Sequence, residues 1–459
     1  MYSTLVKKLG LPIAEKIKRW PMSNYLAQLE ESQWWTPGQL QAMQEEKMRA
    51  MIRHAYDSVE YYRSVFDERG LKPDDIKTLD DLPKLPILNK DSIRANFPDR
   101  IVSNKHDVGS LILGKSSGST GEPLRYYLTH EEKAFKWACL YRMWRWAGYD
   151  FGKKYAIITV YTPSAFKNVP VMDLLERKVM RCLTLQTRDL NSDTVAGFVE
   201  AIQDFKPVIL KGNPSTCYYI ARYMKEHGSR FDVGATICNA ETLVPCVRDY
   251  VQDVFGCGIY DTYGLEGMEA AAQCSPTSLH HLAAEAVIAE VVDENGDPLP
   301  PGTEGRLVLT ALDKWAMPFI RYDTQDVAAI AAGACSCGRG LPLISNIKGR
   351  LVDIGVTPSG KFLSVFVFSP LFRDVEGVDA WQVVQESPQE VSVNVKPTAK
   401  LTQETLDGIL REIQDYVGDD VRVAMNKVDD IPLTPSGKRR FFISKCPIDP
   451  AEISSRSVT

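Results

Sequence analysis

The sequence lacks any apolar run near the roughly 18 residues that a membrane-spanning helix needs, so no segment is built to cross a bilayer. Cysteine is thin, ten residues scattered through 459, which excludes a secreted disulfide scaffold. Positive charge is not in excess: 54 basic against 59 acidic residues give a net charge of −5, with no electrostatic case for nucleic acid. There is no internal repeat and no low-complexity segment longer than the Ser-rich last few residues. The first twenty residues lack the unbroken apolar core of a signal peptide, because Lys7, Lys8, Glu15, Lys16, Lys18 and Arg19 interrupt it. That basic, amphipathic stretch is expected to pack as a helix on its own domain rather than on a membrane surface. What remains is an ordinary globular composition, 44% hydrophobic and 25% charged. The expected compartment is the cytoplasm.

Three textures follow one another along the chain. Residues 1–105 read as mostly helical, with Pro83, Pro86 and Pro98 cutting the end of the region into short pieces. From about 110 to 330 strands and helices alternate. Tyr155–Tyr161 and Pro207–Lys211 read as buried strands, and Asp193–Phe205 and Thr216–His227 as helices. Such alternation predicts α/β layers around a largely parallel sheet. Near 285 the pattern turns antiparallel, with Val287–Val292, a turn at Asp293–Asp297, and Arg306–Thr310, read as a small barrel or second sheet. After Gly349-Arg350 comes a compact α+β module holding the strands Val391–Val395 and Val421–Val423 and the helix Gln403–Tyr416. The expected fold class is therefore α/β, with a large N-terminal domain (1–349) and a small mobile α+β C-terminal domain (350–459).

Chemistry begins at Ser116-Ser-Gly-Ser-Thr-Gly121, directly after the apolar Leu111-Ile-Leu113. Glycines let the backbone approach an anion closely, and successive N–H groups can form a nest around phosphate oxygens. The letters of a Walker loop just upstream, Gly109 to Ser116, are accidental, because their Leu-Ile-Leu core suits a strand. Five further features follow in a definite order: Asn239-Ala-Glu-Thr242; Asp261-Thr-Tyr-Gly264 with Glu266; Arg321-Tyr-Asp-Thr-Gln-Asp326; Gly349-Arg350 with Asp353; and Pro435-Ser-Gly-Lys438. In order and spacing the set resembles the adenylate-forming superfamily of acyl-coenzyme A ligases. Within it, the chain is most similar to the phenylacetate–coenzyme A ligase branch and its capsular-polysaccharide relatives.

The resemblance implies ATP, Mg²⁺ and coenzyme A as cofactors, with a small carboxylic acid and an acyl acceptor as partners and self-association into a homodimer as a further expectation. It implies that Ser116, Ser117, Gly118, Ser119, Thr120 and Gly121 hold the β- and γ-phosphates. Tyr263 would stack on adenine, with Ala240, Glu241 and Thr242 closing the other face and Asp261 and Gly264 completing the segment. Asp326 would accept hydrogen bonds from both ribose hydroxyls, a task suited to a group with two acceptor oxygens and no donor. Arg350 would hold ribose or phosphate near a hinge, and Lys438 would enter the site during adenylation. Glu266 takes the Mg²⁺-ligand role, with Glu269 its rival because Tyr263-Gly-Leu-Glu266 is one residue shorter than the family pattern. Glu122 after the phosphate loop and Val352 at the hinge also depart from that pattern. An amide-forming ligase and a degenerate nucleotide-binding scaffold are the alternatives.

A second constellation is Cys335-Ser-Cys337, preceded by Cys274 and His280-His281. Three thiols and an imidazole form a Cys₃His set that favours zinc, and the resemblance to the phenylacetate-ligase branch implies a structural staple remote from the phosphate loop. His281 fits the register better than His280. Trp137, Tyr141 and Trp144 lie at helical spacing and read as core, while Tyr161 at a strand end is the better pocket candidate.

Overall fold

In the computed structural model the described residues are 2–18, 20–115, 124–160, 177–187, 192–240, 242–243, 245–348, 354–359, 362–364, 368, 371–372, 375–432 and 440–446. The lead-in is helical. After a helical run over residues 2–18 come α1 (Met22–Ser32), α2 (Pro37–Ser58), α3 (Glu60–Glu68) and α4 (Lys90–Asn96). Local chemistry sets their starts: Thr36 and Gln39 form a capping box ahead of α2, with Pro37 at its first position, and Asn89 caps α4. Short 3₁₀ turns at Pro73–Asp75 and Leu79–Lys84 occupy the proline-punctuated stretch.

A two-stranded antiparallel ribbon, β1 (Ile112–Lys115) and β2 (Arg125–Leu128), brackets the Ser/Gly run. Helix α5 (His130–Trp146) follows, started by a reciprocal cap in which Thr129 Oγ1 accepts from the Glu132 N–H at 3.0 Å and Glu132 Oε2 accepts from the Thr129 N–H at 2.8 Å. Tyr141 and Trp144 of this helix are buried among Tyr149, Phe151 and Tyr155, so the aromatic stripe is core.

The main sheet has eleven strands. Its parallel half holds β3 (Tyr155–Val160), β4 (Cys182–Thr187), β5 (Ile209–Gly212), β6 (Ala235–Asn239) and β7 (Gly258–Leu265), joined through α6 (Ser192–Phe205), α7 (Pro214–His227) and α8 (Pro245–Phe255). Neighbouring residues on one strand serve opposite cores. Ile209 and Ile237 face α1 and α5, whereas Leu210 and Cys238 face α6–α8. The other half is antiparallel: β8 (Met268–Gln273), β9 (His280–Leu282), β10 (Val287–Val292), β11 (Gly305–Ala311), β12 (Tyr322–Ala331) and β13 (Leu343–Lys348). The strand order is β10-β11-β12-β13-β9-β8-β7-β6-β5-β3-β4. The antiparallel region expected as a small barrel or second sheet is thus continuous with the parallel strands. The β7–β8 hairpin causes this, because it reverses direction while its strands stay paired edge to edge, with one register shift at Tyr263/Gly264.

The C-terminal module begins with the pair β14 (Ile354–Val356) and β15 (Phe362–Ser364). Strands β16 (Val378–Ser387), β17 (Glu390–Pro397), β18 (Arg422–Lys427) and β19 (Phe442–Ser444) then form a sheet ordered β18-β17-β16-β19. Helix α9 (Gln403–Val417) buries Leu406, Ile409, Ile413 and Val417 against Val391, Val393 and Val395. Among the described residues no helix is long and apolar enough to cross a membrane.

Candidate active site

Ligands in sheets of this type sit beyond the carboxyl ends of parallel strands, and three sequence-flagged segments leave the sheet there. β6 ends at Asn239, and Ala240 after it has φ +71°, a left-handed conformation unusual for a residue with a side chain. Thr242 follows it in the same loop. β7 carries Asp261, Tyr263 and Gly264 to the hairpin tip. There Leu265 pairs with Met268 across a two-residue turn, Glu266-Gly267, with φ +43° and +79°. Two positive φ values make a type I′ turn, the one whose twist suits a hairpin. β12 brings in the Arg321–Asp326 run, with left-handed φ at Arg321 (+51°) and Gln325 (+62°).

Two tyrosine–carboxylate bonds lace these elements together in opposite senses. The Tyr263 hydroxyl on β7 donates to Asp326 Oδ2 on β12 at 2.5 Å, and the Tyr322 hydroxyl on β12 donates to Glu266 Oε1 in the β7–β8 turn at 3.1 Å. Tyr263, Asp326 and Glu266, flagged separately in sequence, are thus held by two bonds that both run between the β7–β8 hairpin and β12. Burial and the Asp326 carboxylate hold the Tyr263 phenol well above its ordinary value, so it stays a donor. Arg321 anchors the run from behind. Its guanidinium pairs with Glu290 at 3.0 Å and donates to the carbonyls of Leu85 at 2.8 Å and Gly296 at 2.7 Å.

A group that the sequence reading passed over supports the turn. Lys314 is fully buried, and its Nζ donates to the Gly267 carbonyl at 3.1 Å. Burial lowers its pKa, with Asp313 and Glu132 pulling the other way. Burial pushes the Asp313 carboxyl up to about 6 against the pull of Lys314, and its Oδ1 is buried without a partner. Glu132 Oε1 accepts the Ala316 N–H at 2.7 Å. The legible signal was two charges, Asp313-Lys314, inside the otherwise apolar Ala311–Ile320. Lys211 gives the same signal at the end of Val208-Ile-Leu-Lys211. It stands at the carboxyl end of β5 with Nζ 5.9 Å from the Trp144 ring, and burial lowers its pKa while Glu269 opposes the shift. Glu269 itself lies 3.7 Å from Lys136 and is distinct from the Tyr322-bonded Glu266.

Asp261 is committed elsewhere: its Oδ2 lies 3.0 Å from His280 Nε2. His281, by contrast, turns to the thiols. Cys337 Sγ is 3.4 Å from His281 Nε2 and Cys274 Sγ is 3.6 Å from Cys335 Sγ, with all four ligand atoms within 4.8 Å of one another. A tetrahedral zinc with bonds of about 2.3 Å has sulfur–sulfur edges of about 3.8 Å, so the donor set fits that ion. A disulfide would need about 2.05 Å. Burial pushes the Cys274 thiol up to about 12, and the Arg339 N–H groups draw the Cys337 thiol down. Arg339 lies 4.8 Å from both the Trp34 and Trp146 rings, which fastens the cysteine loop to the helical lead-in at Trp34 and to α5 at Trp146.

The phosphate-loop residues Ser116–Gly121, Glu122, Tyr161, Glu241, Gly349–Asp353 with Arg350 and Val352, and Lys438 lie outside the described residues.

Comparison with known proteins places this geometry. Residues 356–445 match the CapK C-terminal domain family. Phenylacetate-coenzyme A ligase of Thermus thermophilus is 26% identical over 87% of this chain and 95% of that protein. Its counterpart from Aromatoleum evansii is 30% identical over 69% of this chain and 71% of that protein. The chain belongs to the phenylacetate–coenzyme A ligase family. Protein CapK of Staphylococcus aureus is a further relative of this family member, 20% identical over 88% of each chain. The fold agrees with that of a 2-hydroxyisobutyryl-CoA ligase solved with an acyl-AMP bound, at a TM-score of 0.73 and 19% identity over 90% of this chain and 91% of that one.

Proposed function

We propose that this ligase-family protein activates a carboxylic acid as an acyl-adenylate and transfers the acyl group to coenzyme A. The carboxylate oxygen attacks the α-phosphorus of ATP and the bond to the β-phosphate breaks, releasing pyrophosphate. The thiol sulfur of coenzyme A then attacks the acyl carbon, loses its proton, and displaces AMP. The observation that carries this reading is the reciprocal pair, Tyr263 to Asp326 and Tyr322 to Glu266, in a chain of this family.

In this proposal Asp326 accepts the ribose hydroxyls, and the Tyr263 bond holds it in place while the Tyr263 ring faces adenine. Ala240, Glu241 and Thr242 border the base, with Asp261 and Gly264 shaping β7 behind it. Glu266 is the Mg²⁺ ligand, and the ion supplies positive charge to the phosphates. Two anions must meet in the first step, so N–H donors and cations stabilise it. Ser116–Gly121, Arg350 and Lys438 take those roles. The module after Gly349 swivels between the half-reactions, which gives the thiol a path to the carbon that Lys438 first occupies. Cys274, His281, Cys335 and Cys337 hold a structural zinc. The compartment is the cytoplasm, consistent with cysteines that are all free among the described residues.

Acid-dependent pyrophosphate release across aryl, aliphatic and hydroxy acids, with the thioester identified by mass spectrometry, tests the reaction. Lys438→Ala is expected to lower adenylate formation by roughly 10²-fold or more while sparing transfer from a supplied acyl-adenylate. Equal loss of both steps would make the lysine structural. No pyrophosphate release with any acid would sink the enzymatic reading.

A further inference from the structure

The helical run at the start of the chain has two unlike sides. One is anchored: the Tyr2 hydroxyl donates to the Val179 carbonyl at 2.8 Å, Ser3 Oγ to the Phe151 carbonyl at 2.5 Å, Lys7 pairs with Asp150, and Val6 is buried. The other side carries Leu5, Leu9, Ile13 and Ile17, which are 53%, 55%, 58% and 59% exposed. Four aliphatic side chains at intervals of four, all in water, are the opposite of what an anchoring helix needs.

Their alignment has a structural cause. In an α-helix an interval of four residues drifts by about 40° per step, so a long i, i+4 series winds around the axis. Here Val6–Gly10 forms a π turn, closed by the Leu11 N–H on the Val6 carbonyl, between α-helical Tyr2–Leu5 and Leu11–Lys18. The wider turn rotates each residue by less and takes back part of the drift. Pro12 favours it, since proline has no N–H to return to the Lys8 carbonyl.

Charge selects the occupant. Lys8 and Lys16 are exposed beside the stripe and make no ion pair among the described residues. Glu15, the one acidic residue of the run, is turned inward, its Oε1 accepting the Ser23 N–H at 2.5 Å. The exposed face is therefore apolar with a cationic margin, on a chain whose net charge is −5. A second copy is a poor occupant. A stable dimer buries roughly 800 Å² per partner, more than four side chains offer, and a two-fold axis would bring lysines against lysines.

We propose that this helix docks in the plane of an anionic phospholipid surface. Leu5, Leu9, Ile13 and Ile17 enter the boundary between headgroups and acyl chains, and Lys8 and Lys16 pair with lipid phosphates. This surface is separate from the adenylation site and does not depend on it.

The test is cosedimentation of the full chain with vesicles of phosphatidylcholine alone and of phosphatidylcholine with 30% phosphatidylserine (roughly the anionic content that gives a physiological surface potential). Binding is expected to the anionic vesicles and to fall about tenfold or more at high salt. Leu9→Ser/Ile13→Ser and, separately, Lys8→Glu/Lys16→Glu should each lose about tenfold in binding while circular dichroism, melting temperature and acid-dependent pyrophosphate release stay unchanged. No binding by the wild type, or equal binding by both variants, overturns the proposal. So does a wild-type dimer in light scattering that Leu9→Ser/Ile13→Ser dissociates, because a second copy then covers the face.

Discussion

Two tyrosine hydroxyls decide where the two carboxylates of the candidate site stand. Asp326 and Glu266 were legible in the sequence as residue types in a pattern, but Tyr322 was only a letter inside the Arg321–Asp326 run. It bonds Glu266, whereas Glu269 lies beside Lys136. Behind the turn, Asp313 is a buried carboxyl raised to about 6, above the ordinary 3.8. A raised acid binds its proton more tightly in the folded state, so its stabilising contribution is present below about 3.8 and is lost as pH rises through about 6. Melting curves between pH 4.5 and 7.5 should show this. Asp313→Asn is expected to raise the melting temperature at pH 7.5 by a few degrees and to flatten this part of the profile. An unchanged profile in the variant would mean that another group carries the dependence.

At the scale of elements, the boundaries of strongly patterned segments were readable. Val287–Val292 emerges as written, and Tyr155–Val160, Ser192–Phe205 and Gln403–Val417 fall within a residue or two of the expectation. Strand β16 was missed, because Val378–Ser387 mixes Asp379, Gln382 and Gln385 among its apolar positions and declares itself only by pairing with β17. The β7–β8 hairpin also escaped the reading. Its turn is Glu-Gly rather than the usual Asn-Gly or Asp-Gly, so no turn signal was raised. Gly267 is required there twice over. Its φ is +79°, and a Cβ would lie 2.9 Å from Tyr126 Cε2 and 3.0 Å from Lys314 Nζ. Gly267→Ala is expected to cost about 1–3 kcal/mol in denaturant unfolding and to reduce adenylation more than Gly70→Ala, an exposed left-handed control with open space around it. Similar losses from both variants would show that the turn matters only as backbone.

For the whole molecule, the helical lead-in is tied to the main sheet by buried polar chemistry as well as by apolar packing. Arg142 on α5 pairs with Glu285 at 2.6 Å, Glu285 accepts from Ser32 at 2.5 Å, and Lys47 donates to the Glu285 carbonyl at 2.8 Å. The cysteine cluster adds a second tie through Arg339. Protein purified without added metal is expected to contain about one zinc per chain by elemental analysis. Cys335→Ser should lower the melting temperature before it lowers the rate, because a structural site contributes folding free energy. Folded, active protein without zinc would remove the site. The sequence by itself determined the order of textures and the α/β class, since these rest on local periodicity, and its short motifs named the residues of the candidate site. Only the tertiary structure decided that the parallel and antiparallel strands form one sheet. His281 rather than His280 stands at the thiols, as the strand register in the sequence suggested, because successive residues of β9 point to opposite faces. Pairings between residues tens to hundreds of positions apart, such as Tyr263 with Asp326 or Arg142 with Glu285, depend on strand register and helix docking, and no local pattern encodes those.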